Sequence, residues 1–260
     1  MKVLITNDDG ITSAGIRVLT EAAVDRGLDV TVAAPNTEYS GASAALSALE
    51  SDGHLLFQPH QLPGLAEVRA MAVTASPAMI GIVGARGAFG AVPDLVLSGI
   101  NHGPNTGNAT LHSGTVGAAL TAAAHGIPAM ALSMNSAKPK HWPTAALIAQ
   151  QAIQWMIDNG SAGWILNVNV PDIPVAELRG IRRAGLAEFG AVQATVGEPG
   201  DDYVPVTFAE IKPDEGDSDA AWLRRGWATA TVLRAPREDT TIELGALTTD
   251  RGSPAPDSRG

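Results

Sequence analysis

Apolar and polar positions meet most sharply in the first ten residues. Val3, Leu4 and Ile5 form a short apolar run that stops at Asn7, Asp8, Asp9 and Gly10. Such runs fill the middle of parallel sheets. Residues 14–26 then read as a helix, with Ile16, Leu19 and Ala23 on one stripe and Ser13 as its cap. Residues 29–34 form a second strand, ended by Pro35, which completes a βαβ unit with a right-handed crossover. An extended excursion over 45–74 ends in a strand at 68–74. A helix at 77–85 follows, with Pro77 in its first turn and Ser76 as its cap. Leu95, Val96 and Leu97 are again halted by polar and glycine residues. Small residues build a helix over 116–125, and strands are expected at 129–132 and 164–170. Between those strands lies a helix at 143–158, whose apolar face carries Ile148, Ala152, Trp155 and Met156.

This alternation predicts an α/β fold: a Rossmann-like, mostly parallel sheet with helices on both faces. Beyond Pro174 the pattern loosens. The acidic stretch 214–219 reads as a solvated loop. Trp222, Trp227 and the alternating segment 228–233 suggest an extended arm. The expected organisation is an α/β core over 1–199, a C-terminal oligomerisation arm over 200–235 packed on a neighbouring subunit, and a mobile tail over 236–260.

Composition narrows the function. The 260 residues carry a net charge of −10, which argues against a long nucleic-acid partner. A small phosphate ester held by a metal and backbone amides stays open. There is no cysteine, so neither disulfides nor thiolate metal sites arise. Residues 113–137 lack Asp, Glu, Lys and Arg, but His125 and Pro128 and many small residues make them too weakly apolar for a membrane span. Asp8 and Asp9 interrupt the start before a signal-peptide core could form, so a cytoplasmic location is expected.

In open α/β sheets ligands bind outside the carboxyl ends of the strands. Four polar clusters fall at such ends: Asn7-Asp8-Asp9, Ser40-Gly41, the glycine- and asparagine-rich stretch 98–108, and Ser113-Gly114-Thr115 at a helix start. Adjacent carboxylates that both stay ionised call for a cation, and oxygen donors favour Mg²⁺, Mn²⁺ or Ca²⁺. The plain alternative is a solvated Asp-Asp-Gly turn. Ser40-Gly41 offers a hydroxyl and an unhindered amide to an anion or metal. Ser113 to Thr115 is either an anion site or an ordinary helix cap. No G-x-G-x-x-G turn points to a dinucleotide.

These motifs together resemble the SurE survival proteins, metal-dependent nucleoside monophosphate phosphatases. The resemblance rests on Asn-Asp-Asp-Gly-Ile at 7–11, Ser-Gly at 40–41 and Ser-Gly-Ile-Asn-x-Gly-x-Asn at 98–105. Ser-Gly-Thr-Val-x-Ala-Ala at 113–119 and Asn-Val-Asn-x-Pro at 167–171 continue it. It implies Asp8, Asp9, Ser40 and Asn101 as ligands of one divalent metal ion, with Asp8 or Asp9 handling the attacking water. Asn105, Ser113, Gly114 and Thr115 would hold the phosphate, with Asn7 and Gly41 beside them. The implied activity is a 5′- or 3′-nucleotidase, with short polyphosphate as a further substrate, in a homodimer or homotetramer. The chain departs from the family at Ala75-Ser76-Pro77-Ala78-Met79, where Gly-Thr-Pro-x-Asp is usual. It departs again at Thr229 to Leu233, and at His112, where an aromatic is common. A haloacid-dehalogenase-type phosphatase needs a nucleophilic Asp where Asn7 stands, and an amide cannot form an aspartyl-phosphate. A non-catalytic nucleotide-binding module on the same fold is the remaining alternative.

Overall fold

The computed structural model describes residues 1–48, 50–51, 53–188, 192–200, 202–210 and 216–241. In chain order the elements are β1 (Lys2–Thr6), α1 (Ala14–Val24), β2 (Asp29–Pro35), β3 (Glu50–Ser51), β4 (His54–Leu55), β5 (Phe57–His60), β6 (Arg69–Val73) and α2 (Pro77–Ala85). There follow β7 (Leu95–His102), α3 (Gly114–Ala124), β8 (Ala129–Met134), α4 (Trp142–Asn159), β9 (Trp164–Val170) and β10 (Ile181–Arg183). The chain continues with β11 (Val192–Val196), β12 (Val206–Glu210), α5 (Asp219–Arg224) and β13 (Ala228–Arg234).

Nine strands form one sheet in the order β10-β13-β9-β8-β7-β1-β2-β6-β5. The six from β9 to β6 are mutually parallel. The chain builds outward one way from β1 through β2 to β6, and the other way from β7 through β8 to β9. The direction reverses between β1 and β7, and a crevice opens there at the carboxyl ends of the strands. Asp8 and Asp9 follow the end of β1 at this point, and Asn101 lies near the end of the neighbouring β7.

Two apolar layers explain why these runs are strands. Side chains alternate between the faces of a strand. Val3 and Ile5 join Ile16, Leu19, Ile148 and Met156 under α1 and α4, whereas Leu4 joins Ile80, Val96 and Val116 under α2 and α3. Helices thus cover both faces, and β8 is buried along its whole length. Close approach requires Gly15: a Cβ there would lie 1.9 Å from the carbonyl oxygen of Ile100 on β7.

Several expectations change. Trp155 does not close the buried face of α4; it is exposed and stands edge-on to Trp164, 5.9 Å between ring centres. Ala149 and Ile153 fill the face instead. Ser76 sits at the cap position of α2 without capping it, since its Oγ donates to Ala45 O (2.6 Å) and accepts from Ser47 N (3.1 Å). The segment expected as an arm is divided. Residues 228–234 are a strand of the main sheet, antiparallel to β9 and parallel to β10, with Thr229 and Thr231 buried. The β11–β12 hairpin stands as a separate two-stranded sheet. The acidic stretch is not wholly a solvated loop: Ser218 caps α5 and Asp219 is fully buried. Asp214, Glu215 and the tail from residue 242 onward lie outside the described residues. Among the described residues no helix is long and apolar enough to cross a membrane.

Gly15→Ala is expected to force α1 off β7 and to cost about 1–3 kcal/mol, the range for overpacking a well-filled core. Urea unfolding checks this, and an unchanged midpoint would show that α1 can lift without cost.

Candidate active site

The turn after β1 is built by Asn7. Its Oδ1 accepts from Gly10 N (3.2 Å), and its Nδ2 donates to Gly10 O (3.0 Å) and Ser13 Oγ (2.8 Å). Gly10 has φ +93°, which a residue with a side chain rarely adopts. Ser13 also caps α1 by accepting from Ile16 N. Asn7, expected as a substrate contact, is fully buried, and its side chain builds this turn. The neighbouring loop is tied in through Tyr39 N, which donates to Asp8 O (2.8 Å).

Asp8 is 4% exposed and lies against the first turn of α3. Its Oδ1 accepts from the hydroxyl of Thr115, and its Oδ2 from the Thr115 amide at 3.1 Å. A Cβ on Gly114 would come within 2.8 Å of Oδ2, so only glycine lets the carboxylate seat here. Thr115 therefore serves Asp8, which revises its expected role on the phosphate. Burial pushes the Asp8 carboxyl up to about 6; neighbouring Asp9 adds to the rise and the Thr115 bonds oppose it. Asp9 is also raised, chiefly by burial and further by Glu38, against the pull of His102. Its Oδ2 accepts from the His102 amide (3.0 Å), and His102 Nδ1 lies 3.7 Å from Oδ1. The His102 ring tilts against Trp142 at 5.8 Å, and its buried Nε2 has no hydrogen-bond partner among the described residues.

A shift in register between Gly99 and Asn101 interrupts the β7–β8 ladder, and such irregularities re-aim side chains. Asn101 Nδ2 donates to Gly103 O (2.8 Å) and His102 O (3.2 Å), which leaves Oδ1 for a ligand. Asn105 is held from below: its amide donates to Asn169 Oδ1 (2.7 Å), and its Nδ2 donates to Ser133 Oγ (2.7 Å). Its carbonyl accepts from the amides of Asn167 and Asn169, at 2.9 Å each. Ser40 is exposed and its hydroxyl donates to Glu38, which leaves the lone pairs of its oxygen for a ligand.

A cleft of about 220 Å³ brings these groups together, lined by Asp8, Ser40, Gly41, Asn101, Asn105 and Ser113, with His102 and His112 at its wall. Asp9 adjoins it through His102. No lysine or arginine lines this cleft. No group of three or more His, Cys, Asp or Glu side chains with metal-holding geometry exists among the described residues. Any cation here would take two carboxylates plus amide and hydroxyl oxygens, a donor set suited to hard ions. The acid pair, raised in pKa chiefly by burial, fits such an ion.

The sequence model of the family described as Survival protein SurE matches residues 3–192. The chain belongs to the SurE family. Proteins named 5′-nucleotidase SurE from Synechococcus elongatus and from a second Synechococcus strain are each 32% identical over 246 residues, spanning 90% of this chain and 93% of theirs. A crystal structure of the SurE protein from Aquifex aeolicus superposes with a TM-score of 0.78 at 26% identity, covering 93% of this chain and 96% of that one.

Residue patterns alone missed His102, Glu38 and the roles of Asn167 and Asn169. The last two had a readable signal, because residues two apart on a strand share a face and thus place two amides side by side. His102 had none: its contact with Asp9 spans 93 positions of sequence.

Asp8 yields a pH test on metal-stripped protein. A carboxyl whose folded pKa exceeds its unfolded value stabilises the fold below the unfolded value and loses that contribution as pH rises. Between pH 3.8 and about 6, wild type should therefore lose up to about 3 kcal/mol relative to Asp8→Asn. Denaturant unfolding of both proteins across this window measures the difference. Parallel curves would show that Asp8 stays ionised at no cost.

Proposed function

We propose that this protein is a divalent-metal-dependent phosphatase acting on nucleoside monophosphates. The observation that carries the reading is an Asp8–Asp9 pair at a cleft that offers amide and hydroxyl donors and, among the described residues, no lysine or arginine. A phosphate ester cannot enter such a cleft against two carboxylates unless a cation accompanies it. The relatives named 5′-nucleotidase SurE support the substrate class.

Asp8, Asp9, Asn101 and Ser40 would hold the ion, with Mg²⁺, Mn²⁺ and Ca²⁺ all suited to the donors. When bound, such an ion supplies positive charge against the phosphoryl oxygens and eases deprotonation of water. The chain's own groups do the rest. Thr115 fixes both oxygens of Asp8, so that acid cannot swing. The His102 amide orients Asp9, which is less buried than Asp8 and takes the proton of the attacking water. Ser113 Oγ accepts from Val116 N, so its own hydrogen is available to a phosphoryl oxygen. The amide of Gly114, in the first turn of α3, has no intrahelical acceptor and is a second donor. Asn105 is pinned through its amide, carbonyl and Nδ2, which sets the distance of its Oδ1 from the substrate.

Phosphate release from nucleoside 5′- and 3′-monophosphates and short polyphosphate, with Mg²⁺, Mn²⁺ and Ca²⁺ in parallel and with chelator, tests the function. Asp9→Asn should lower turnover by at least ~10²-fold, the lower scale for losing a general base. Its stability without metal should be equal or slightly higher, because one of two adjacent anions is gone. Near wild-type release by Asp9→Asn at limiting metal would sink the mechanism.

A homodimer or homotetramer is part of this proposal, narrowed to the β11–β12 hairpin. Val196, Tyr203, Val204 and Val206 are all exposed there, an apolar set that a second copy would cover. Tyr203→Asp with Val204→Asp should yield smaller particles by light scattering. An unchanged mass would mean that the hairpin is not the contact.

A further inference from the structure

Asp219, the first residue of α5, is fully buried although it is remote in sequence from the cleft. Its Oδ2 accepts from Gly107 N (2.9 Å), and its Oδ1 from Ala187 N (2.9 Å) and Ala220 N (2.7 Å). It is not needed to start the helix, because Ser218 already caps α5 through Ala221 N (3.2 Å). Gly107 opens the 3₁₀ turn Gly107–His112, which links Asn105 to Ser113. That turn is held at a second point by Asn108 Nδ2, which donates to Glu188 O (2.6 Å). Thr110 Oγ1 closes the turn on itself by donating to Gly107 O (2.8 Å).

We infer that Asp219 is a positioning residue for the substrate cleft: by gripping the Gly107 amide it holds the 107–112 turn so that Asn105 and Ser113 stay at phosphate-binding distance from each other. The inference rests on the phosphatase reading above. A buried carboxylate offers acceptors only, which suits three converging N–H donors. An asparagine in its place has one oxygen. That oxygen keeps two donors if it faces Ala187 and Ala220, and one if it faces Gly107, so the amide NH₂ turns toward Gly107 N. Donor then meets donor, and the turn is pushed away from α5 while the start of the helix survives.

The test compares wild type with Asp219→Asn, and with Asn108→Ala, which loosens the same turn from its exposed side. Readouts are kcat and KM for a nucleoside monophosphate, inhibition by inorganic phosphate, and hydrogen exchange of peptides spanning 105–113. Asp219→Asn should raise KM and the phosphate inhibition constant together, by about 5-fold or more, with kcat within about 2-fold. Exchange should quicken over 105–113 and stay unchanged over β1 and β8. Asn108→Ala should move KM the same way by a smaller factor. A fall in kcat at unchanged KM, with faster exchange everywhere, would assign Asp219 to folding alone and overturn the inference, as would wild-type KM and exchange. If Asp219→Asn does not fold and Asn108→Ala behaves as wild type, the inference also fails. A wild type that releases no phosphate would bring down the phosphatase reading, while exchange over 105–113 would still decide whether Asp219 anchors the turn.

Discussion

The seating of the Asp8 carboxylate against the first turn of α3 is the interaction on which the rest of the site depends. Both its oxygens accept from Thr115, so strand β1 and helix α3 are joined through one side chain. Helix N-termini favour negative charge. Burial nevertheless prevails and pushes the carboxyl up to about 6. The site therefore carries an acid whose charge the protein alone does not fully support. This seating constrains packing some distance away. Gly114 must lack a side chain, and a Cβ on Gly117 would lie 2.4 Å from Ser43 O. The small residues of α3 thus let one helix touch the sheet, the Asp8 loop and the Ser43 loop at once.

A second layer of polar groups fixes the loops that face Asp8. The carboxyl ends of β8 and β9 are buried yet polar, with Ser133, Asn167 and Asn169 all shielded from solvent. A buried amide without partners is costly; Asn167 and Asn169 each donate to Asn105 O, while Asn169 Oδ1 and Ser133 Oγ accept from Asn105. The cost is offset only when the Asn105 loop lies where it does, so the network selects one loop position. Asp219 acts alike from the far side, through backbone donors. The cleft is shaped by strands and helices that do not themselves line it.

Much of this fold was legible because buried parallel strands are contiguous apolar runs, and β1, β7 and β9 announce themselves locally. Strand order is not local. Ala228 to Arg234 alternates like a half-exposed arm, yet it lies between β9 and β10, where pairing with Asn167 and Asn169 buries Thr231 and Thr229. Trp155 fits the helical stripe of α4 by spacing, but its ring is wide and packs edge-on at the rim. Asp219 sat in an acidic run that reads as solvated, and only the fold brings three amides to it. In the site, the sequence marked motif residues at the strand ends, and the fold adds which partners they hold. Asn7 and Thr115 carry the donors expected of ligand contacts, and both turn inward to build the loop and hold Asp8. Sequence marks that a polar residue matters at a strand end; geometry tells whether it touches the ligand or the residue that does.

Charge decides what kind of molecule this cleft can admit. Asp8 and Asp9 are adjacent, and Glu38 raises Asp9 further, while His102 opposes the rise. The whole chain carries a net charge of −10. A phosphate monoester brings about two more negative charges near neutral pH, the charge that protein phosphomonoesters also carry. A divalent ion would cancel the two aspartates and would leave the phosphate to neutral donors such as Ser113 Oγ and Gly114 N. That balance suits a small ester with one terminal phosphate. A long polyanion would meet a chain whose net charge is −10, and each further phosphate would add repulsion. Selection for small substrates thus follows from placing a charge-neutral donor set inside an acidic protein.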